Sequence, residues 1–236
     1  SYNFSKGYYS RIAEGSMNGR VCRLFVTPML RSLKKVFGEL EYLQYMDSYR
    51  YALAGEFSFR KDVLNDIRIP SDWGLEIGVL SEMHRNYSTN RLCQVDIADF
   101  YDHKHQILSE EDDKKGLSKM SIDISKAFFR KLATQGQTFN CETFRTIKAT
   151  YYRIALDLIE TYHADAVMNN LAFDIHKEEK AVELFAKNII KAGEMFLKKP
   201  MEKPFIPSWS RVISAKPDVL QHLSEAVEAD HKKYEG

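Results

Sequence analysis

Apolar positions between Val21 and Gly38 recur near helical spacing: Val21, Leu24, Phe25, Met29, Leu33 and Val36 fall on one face, with lysines late and Gly38 as a stop signal. Pro28 bends this predicted helix without removing it. The stretch "YALAGEF" supplies a short apolar piece interrupted by Gly55, and "RKDVLNDIRIP" predicts a short helix closed by Pro70. In "GLEIGVLSEMHRNY", Leu75, Val79, Leu80 and Met83 share a helical face, whereas Leu92, Val95 and Ile97 of "RLCQVDIAD" favour a strand. The first half therefore reads as α/β. After the charged, turn-like "LSEEDDKKG" the pattern changes to four amphipathic helices. Their apolar stripes are Leu117 to Leu132, Phe144 to Tyr162, Val182 to Phe196, and Val219, Leu220, Leu223 and Val227. Such stripes ordinarily form core, so the second half is expected to be a helical bundle that either covers an active site or mediates oligomerisation.

Composition narrows this picture. With 236 residues, 44% hydrophobic and 28% charged, the chain has the make-up of a globular protein of one large domain or two small ones. Lys+Arg 34 against Asp+Glu 33 leaves a formal charge of +1. That balance gives no general electrostatic case for nucleic acid or an anionic membrane, so any anion must be held by a local site. Cys22, Cys93 and Cys141 are odd in number and far apart, which suggests a reducing compartment and hence the cytoplasm. The sequence contains neither a run of about eighteen apolar residues nor the pattern of a signal peptide. Its opening, "SYNFSKGYYSRIAEG", begins in an aromatic, basic segment without Met and reads as a piece of a longer protein.

Three stretches carry candidate chemistry. In "DFYDHKHQ", Asp99, Asp102, His103 and His105 follow a strand; they are either oxygen and imidazole ligands for a divalent ion or a solvated loop. Glu76 opens a helix two residues after Gly74, among Trp73, Leu75 and Ile77. It is either a charge favoured by the helix N-terminus or a partly buried carboxylate tuned as a base or a sugar ligand. In "EGSMNGRVCRLF", Gly15 and Gly19 precede a helix that starts at Arg20, where a guanidinium and backbone N–H groups can hold a phosphate. This is neither a Walker loop nor a dinucleotide fingerprint, and the chain has no Gly-x-Ser-x-Gly, His-Glu-x-x-His or paired CxxC. His163 and Asp165 of "YHADAVMN" are expected to cap or solvate a turn between two helices.

Taken in order, "NGRVCRLFVTPMLRSL", "LAGEFSFRKDVL", "IPSDWGLEIGVLSEM" and "CQVDIADFYDHKHQIL" resemble the C-terminal part of the catalytic domain of retaining glucosyl-3-phosphoglycerate synthases. The resemblance covers roughly residues 1 to 110. It implies an α/β fold: the C-terminal part of a GT-A nucleotide-diphosphosugar transferase over residues 1–112, followed by a mostly helical region over residues 113–236. It also implies a hexose transferred with retention from a nucleotide-diphosphate sugar to a small acidic acceptor such as 3-phosphoglycerate or glycerate, with Mg or Mn. His103 would be a metal ligand, Glu76 would contact the transferred sugar or assist at the acceptor hydroxyl, and Gly55 and Glu56 would line the sugar pocket. Gly19 and Arg20, with His105 alongside, would hold the acceptor. A homodimer is the expected assembly, with no nucleic acid or membrane partner.

Two departures stand out. Cys22 occupies the position of the family's phosphate-contacting Thr, and "SDWG" replaces the usual Gly-Tyr-Gly. A thiol donates a weaker hydrogen bond than a hydroxyl. The family's nucleotide-binding half with its Asp-x-Asp has no counterpart in these residues, and the chain alone is expected to be unable to transfer sugar. The competing expectation is a non-catalytic helical oligomerisation or interaction module.

Overall fold

The structure, a computed structural model, describes residues 1–98, 116–201 and 206–234. The element the hydrophobic pattern missed comes first: β1, Phe4–Tyr9, is the centre of a three-stranded sheet. It pairs antiparallel with β4, Phe57–Phe59, and parallel with β5, Leu92–Ala98. A parallel pair needs a long crossover, and residues between β1 and β5 supply it. They begin with a small hairpin of β2, Ile12–Ala13, and β3, Ser16–Met17. Helices α1, Thr27–Phe37, α2, Glu41–Asp47, α3, Lys61–Asp66, and α4, Leu75–Asn86, follow along the crossover.

Pro28 leaves a visible mark. The turn before it, Val21–Val26, is π-helical, with the Thr27 N–H reaching five residues back to the Cys22 carbonyl. An α-helical bond to the Leu24 carbonyl would come from residue 28, which as proline has no N–H. Instead the buried Tyr151 hydroxyl donates to that carbonyl at 2.6 Å. The predicted break at Pro28 is thus a local rewinding stabilised from another helix.

The second half holds α5, Gly116–Thr134, α6, Cys141–Met168, α7, Ile175–Lys198, a short α8, Trp209–Ala215, and α9, Val219–Tyr234. Asn140 caps α6 reciprocally with Thr143, and Asp174 caps α7 by accepting from the Lys177 N–H. The chain is therefore mixed α/β and mainly helical. One hydrophobic core runs through both halves: Phe4, Leu24, Phe25, Met29, Tyr42, Ile77 and Leu80 join Phe128, Phe129, Tyr151, Phe185 and Ile189 in a single cluster. Each such side chain contributes about 1.5–3 kcal/mol on burial, so α5, α6 and α7 are integral to the same body as α1.

Two expectations about the second half change. Leu220, Leu223 and Val227 of α9 are each about half exposed and touch no core, unlike the stripes of the three helices before it. His163 and Asp165 lie inside α6, because the helix continues to Met168; His163 packs on the Phe173 ring and the Asp165 carbonyl accepts from Asn169. Among the described residues no helix is long and apolar enough to cross a membrane.

Candidate active site

The carboxyl ends of β1 and the start of the crossover build one wall of a cavity of about 350 Å³. Gly19, Arg20 and Cys22 reach it from the π-helical turn, Gly55 and Glu56 from the segment before β4, and Glu76 from the first turn of α4. Tyr9, Arg11, Tyr51, Leu53 and Trp73 line it as well. From the helical half, Leu117, Met120 and Ile124 of α5 close another side. Five residues singled out from the sequence (Gly19, Arg20, Gly55, Glu56 and Glu76) thus share one cavity. His103 and His105 lie outside the described residues, as do Asp99 and Asp102.

Local geometry explains each placement. Gly19 has φ +76°, a left-handed conformation that turns the hairpin into the helix, and its carbonyl accepts from the N–H groups of Cys22 and Arg23 at 3.0 Å. Arg20 Nε donates to Glu178 Oε1 at 2.6 Å, and Arg23 donates to the other oxygen, Oε2, at 2.9 Å. Glu178, in the first turn of α7, is buried. One carboxylate therefore fixes two guanidinium groups, and Arg20 makes no other hydrogen bond among the described residues, so its remaining N–H groups stay available to a ligand. Arg11 donates to the Tyr51 hydroxyl at 3.3 Å, adding a second cation to the cavity lining.

The turn that launches α4 is pinned from both ends. Asp72 Oδ1 accepts from the Gly74 N–H at 2.9 Å while Oδ2 faces Arg130 of α5 at 3.7 Å. That leaves Trp73 at the rim, 42% exposed, and turns Glu76 inward. Burial pushes the Glu76 carboxyl above its usual range and Glu56 adds to the rise, opposed by its own backbone N–H and by the Lys6 ammonium. Burial likewise raises the Cys22 thiol, opposed by backbone hydrogen bonds from Leu53 and Ala52 and by the charges of Lys6 and Arg23. At neutral pH the cavity presents an uncharged thiol, two carboxyl groups and two guanidinium groups beside apolar walls. That combination fits a polyhydroxylated ligand carrying an anionic group.

Sequence reasoning missed Lys6, Arg11, Tyr51 and Glu178. Lys6 follows Phe4 at a spacing of two on the buried face of β1, but one charged residue in an unrecognised strand gives no signal. Glu178 is separated from Arg20 by more than half the chain. Among the described residues no group of three or more His, Cys, Asp or Glu side chains could hold a metal ion.

Comparison with known proteins adds a class and then particular relatives. No family model matches the chain, and no solved structure does. The matches are synthases. A glucosyl-3-phosphoglycerate synthase of Persephonella marina is 43% identical over 230 residues, covering 98% of this chain and 57% of that protein. A glucosyl-3-phosphoglycerate synthase of Methanococcoides burtonii is 43% identical over 237 residues, 99% of this chain and 58% of that protein. The resemblance read from the motifs is thereby shown along nearly the whole chain. The chain spans less than three fifths of the length of each relative.

Proposed function

We propose that this chain forms the acceptor-binding and sugar-facing part of a retaining GT-A glycosyltransferase that moves glucose from a nucleotide-diphosphate donor to 3-phosphoglycerate. The observation that carries the reading is the convergence of Gly19, Arg20, Gly55, Glu56 and Glu76 on one cavity, in a chain 43% identical to two synthases of that name. Arg20, held at its Nε by Glu178, would grip the acidic acceptor through its other N–H groups. Glu56 and Glu76 would accept hydrogen bonds from sugar hydroxyls. Same-face attack at the anomeric carbon depends more on holding the acceptor hydroxyl in place than on a strong base. With its raised carboxyl, Glu76 is suited to take the acceptor proton late in the transfer. Leu117, Met120 and Ile124 would keep water from that side of the reacting centre.

A divalent ion, Mg or Mn, belongs to the same proposal: it would neutralise charge on the departing diphosphate, with His103 as a ligand. His105 would stand beside the acceptor. The boundary near residue 112 would separate catalytic α/β residues from a helical part that shares their core. Transfer would need sequence beyond these 236 residues, so the chain incubated with nucleotide-diphosphate glucose, Mg and 3-phosphoglycerate should give no product. Calorimetry with the same chain should nonetheless show 3-phosphoglycerate binding that Arg20→Ala weakens at least tenfold. Binding that is indifferent to Arg20, or no binding, would sink the acceptor assignment.

A homodimer completes the reading, supported by the exposed Leu220, Leu223 and Val227 of α9. Light scattering should give a dimer mass that the double change Leu220→Asp, Leu223→Asp halves. An unchanged mass would remove α9 from any interface.

A further inference from the structure

Beneath the cavity lies a charge that the reaction outlined above does not use. Lys6, on β1, is fully buried, beside the core residue Phe4 on the same strand face. Its ammonium donates to the Ala54 carbonyl and stands 4.5 Å from the centre of the Phe57 ring, on its face. Those two contacts bracket Gly55 and Glu56. The neighbouring Gly7 N–H donates to the Glu56 carbonyl at 2.8 Å, and a side chain at Gly7 would meet the Glu56 Cβ at 2.9 Å. The strand therefore grips the segment at Ala54, Glu56 and Phe57, and the close approach to Glu56 is fitted to a glycine at position 7.

The titratable groups acting on Lys6 come from separate elements: Glu76 from α4, Glu56 from the gripped segment and Cys22 from the π-helical turn. From β5 the facing residue is the uncharged Gln94. A buried cation is costly without compensation, and here two carboxylates, a carbonyl and a ring face provide it.

We propose that Lys6 is a positioning residue: it holds Gly55 and Glu56 in place through its contacts on either side of them and supplies a counter-charge to the Glu76 carboxyl. Burial lowers the Lys6 ammonium to about 8, with Glu76, Cys22 and Glu56 opposing the shift. The counter-charge is consequently present at neutral pH and withdrawn in mild alkali. Between pH 7 and 9 the cavity would lose one positive charge.

The experiment follows the side-chain carboxyl ¹³C signal of Glu76 by NMR from pH 3 to 10, in the unaltered chain, Lys6→Met and Lys6→Arg. Met keeps the apolar stem and removes the charge; Arg keeps the charge. In Lys6→Met the Glu76 midpoint should rise by about one pH unit, the scale of a lost neighbouring charge. In Lys6→Arg it should return toward the original value. The unaltered chain should show a second inflection of the Glu76 carboxyl signal near pH 8, coincident with titration of the Lys6 Cε signal, and this readout needs no variant to fold. Amide exchange at Gly55 and Glu56 should quicken in Lys6→Met. A folded Lys6→Met with an unmoved Glu76 midpoint, or with unchanged amide exchange at Gly55 and Glu56, overturns the proposal. The inference takes its meaning from the sugar-pocket reading, yet these titrations use no substrate. Their failure removes the role of Lys6, whereas absent phosphoglycerate binding removes the reading.

Discussion

Arg20 and Glu178 meet at 2.6 Å across a gap of more than 150 residues, joining the start of the π-helical turn to the first turn of α7. The same carboxylate holds Arg23, whose side chain also donates to the backbone carbonyls of Met17 and Asn18 and lies over the Tyr162 ring at 4.9 Å. The helical half thereby fixes the orientation of a side chain that faces the cavity, which links the packing of α7 to the proposed recognition of an acceptor.

That linkage predicts an unequal response to its removal. Glu178→Ala leaves the mostly buried Arg23 without its carboxylate and should cost about 3 kcal/mol, as breaking a buried pair does. Arg20→Ala should cost about 1 kcal/mol, because Arg20 is a third exposed and solvent screens its share. Urea unfolding of both variants measures the order. Equal losses would mean that Arg23 does not rely on Glu178. Glu178→Gln should also lose stability, because its one amide oxygen can accept from only one of the two guanidinium groups, and should weaken 3-phosphoglycerate binding, since a neutral amide holds Arg20 less firmly.

The raised Glu76 carboxyl predicts a pH dependence of stability. A carboxyl whose folded value lies above its usual 4.5 binds its proton more tightly in the folded chain than in the unfolded one. The stability this contributes is complete below the usual value and is lost as pH rises through the folded one. Glu76→Gln cannot ionise and escapes that loss. The variant should therefore match the unaltered chain near pH 4 and exceed it at neutral pH, as measured by urea midpoints across that range. A variant less stable at neutral pH would show that the carboxylate is net stabilising and that its partners outweigh burial.

Much of this architecture is legible in the hydrophobic pattern where a helix is long and one-sided. The stripes from Leu117, Phe144 and Val182 are core because each helix meets two others, and Gly38 ends α1 with φ +85° as its position suggests. The stripe of α9 has the same period and no partner among the described residues, so periodicity alone does not separate a core helix from an exposed one. β1 was illegible for a different reason: Lys6 breaks the apolar alternation on its buried face, and its compensation by Glu56, Glu76 and the Ala54 carbonyl exists only after folding. Glu76 was visible through the helix start beside it; the partners that set its ionisation were not.

Gly78 tests how tightly α4 is held. In an exposed helix Gly→Ala gains up to about 1 kcal/mol, but a Cβ here would clash with the Cδ and Cγ of Pro70. Overpacking of that kind costs about 1–3 kcal/mol, so Gly78→Ala should lower the thermal midpoint instead of raising it. The displacement would also shift Glu76, two residues earlier on the same helix. Differential scanning calorimetry decides the sign. A higher midpoint would show that Pro70 yields and that the close approach places no constraint on the site.

Cys22 offers a gain-of-function test. It is buried at the cavity wall, with its thiol kept protonated at neutral pH by burial, and backbone hydrogen bonds from Leu53 and Ala52 reach its sulfur. Iodoacetamide at neutral pH should accordingly modify the exposed Cys141 well before Cys22. Cys22→Thr places a hydroxyl where the resembling family carries one, and a hydroxyl donates a stronger hydrogen bond than a thiol. If the acceptor phosphate sits against this wall, one added hydrogen bond worth about 1 kcal/mol should tighten 3-phosphoglycerate binding roughly fivefold. The extra methyl enters a packed wall, so some stability should be lost in exchange. Calorimetric titration of both proteins, with urea midpoints measured beside it, separates the two effects. Unchanged affinity in a folded variant would move the phosphate away from Cys22 and leave Arg20 and Arg11 as the groups to place it.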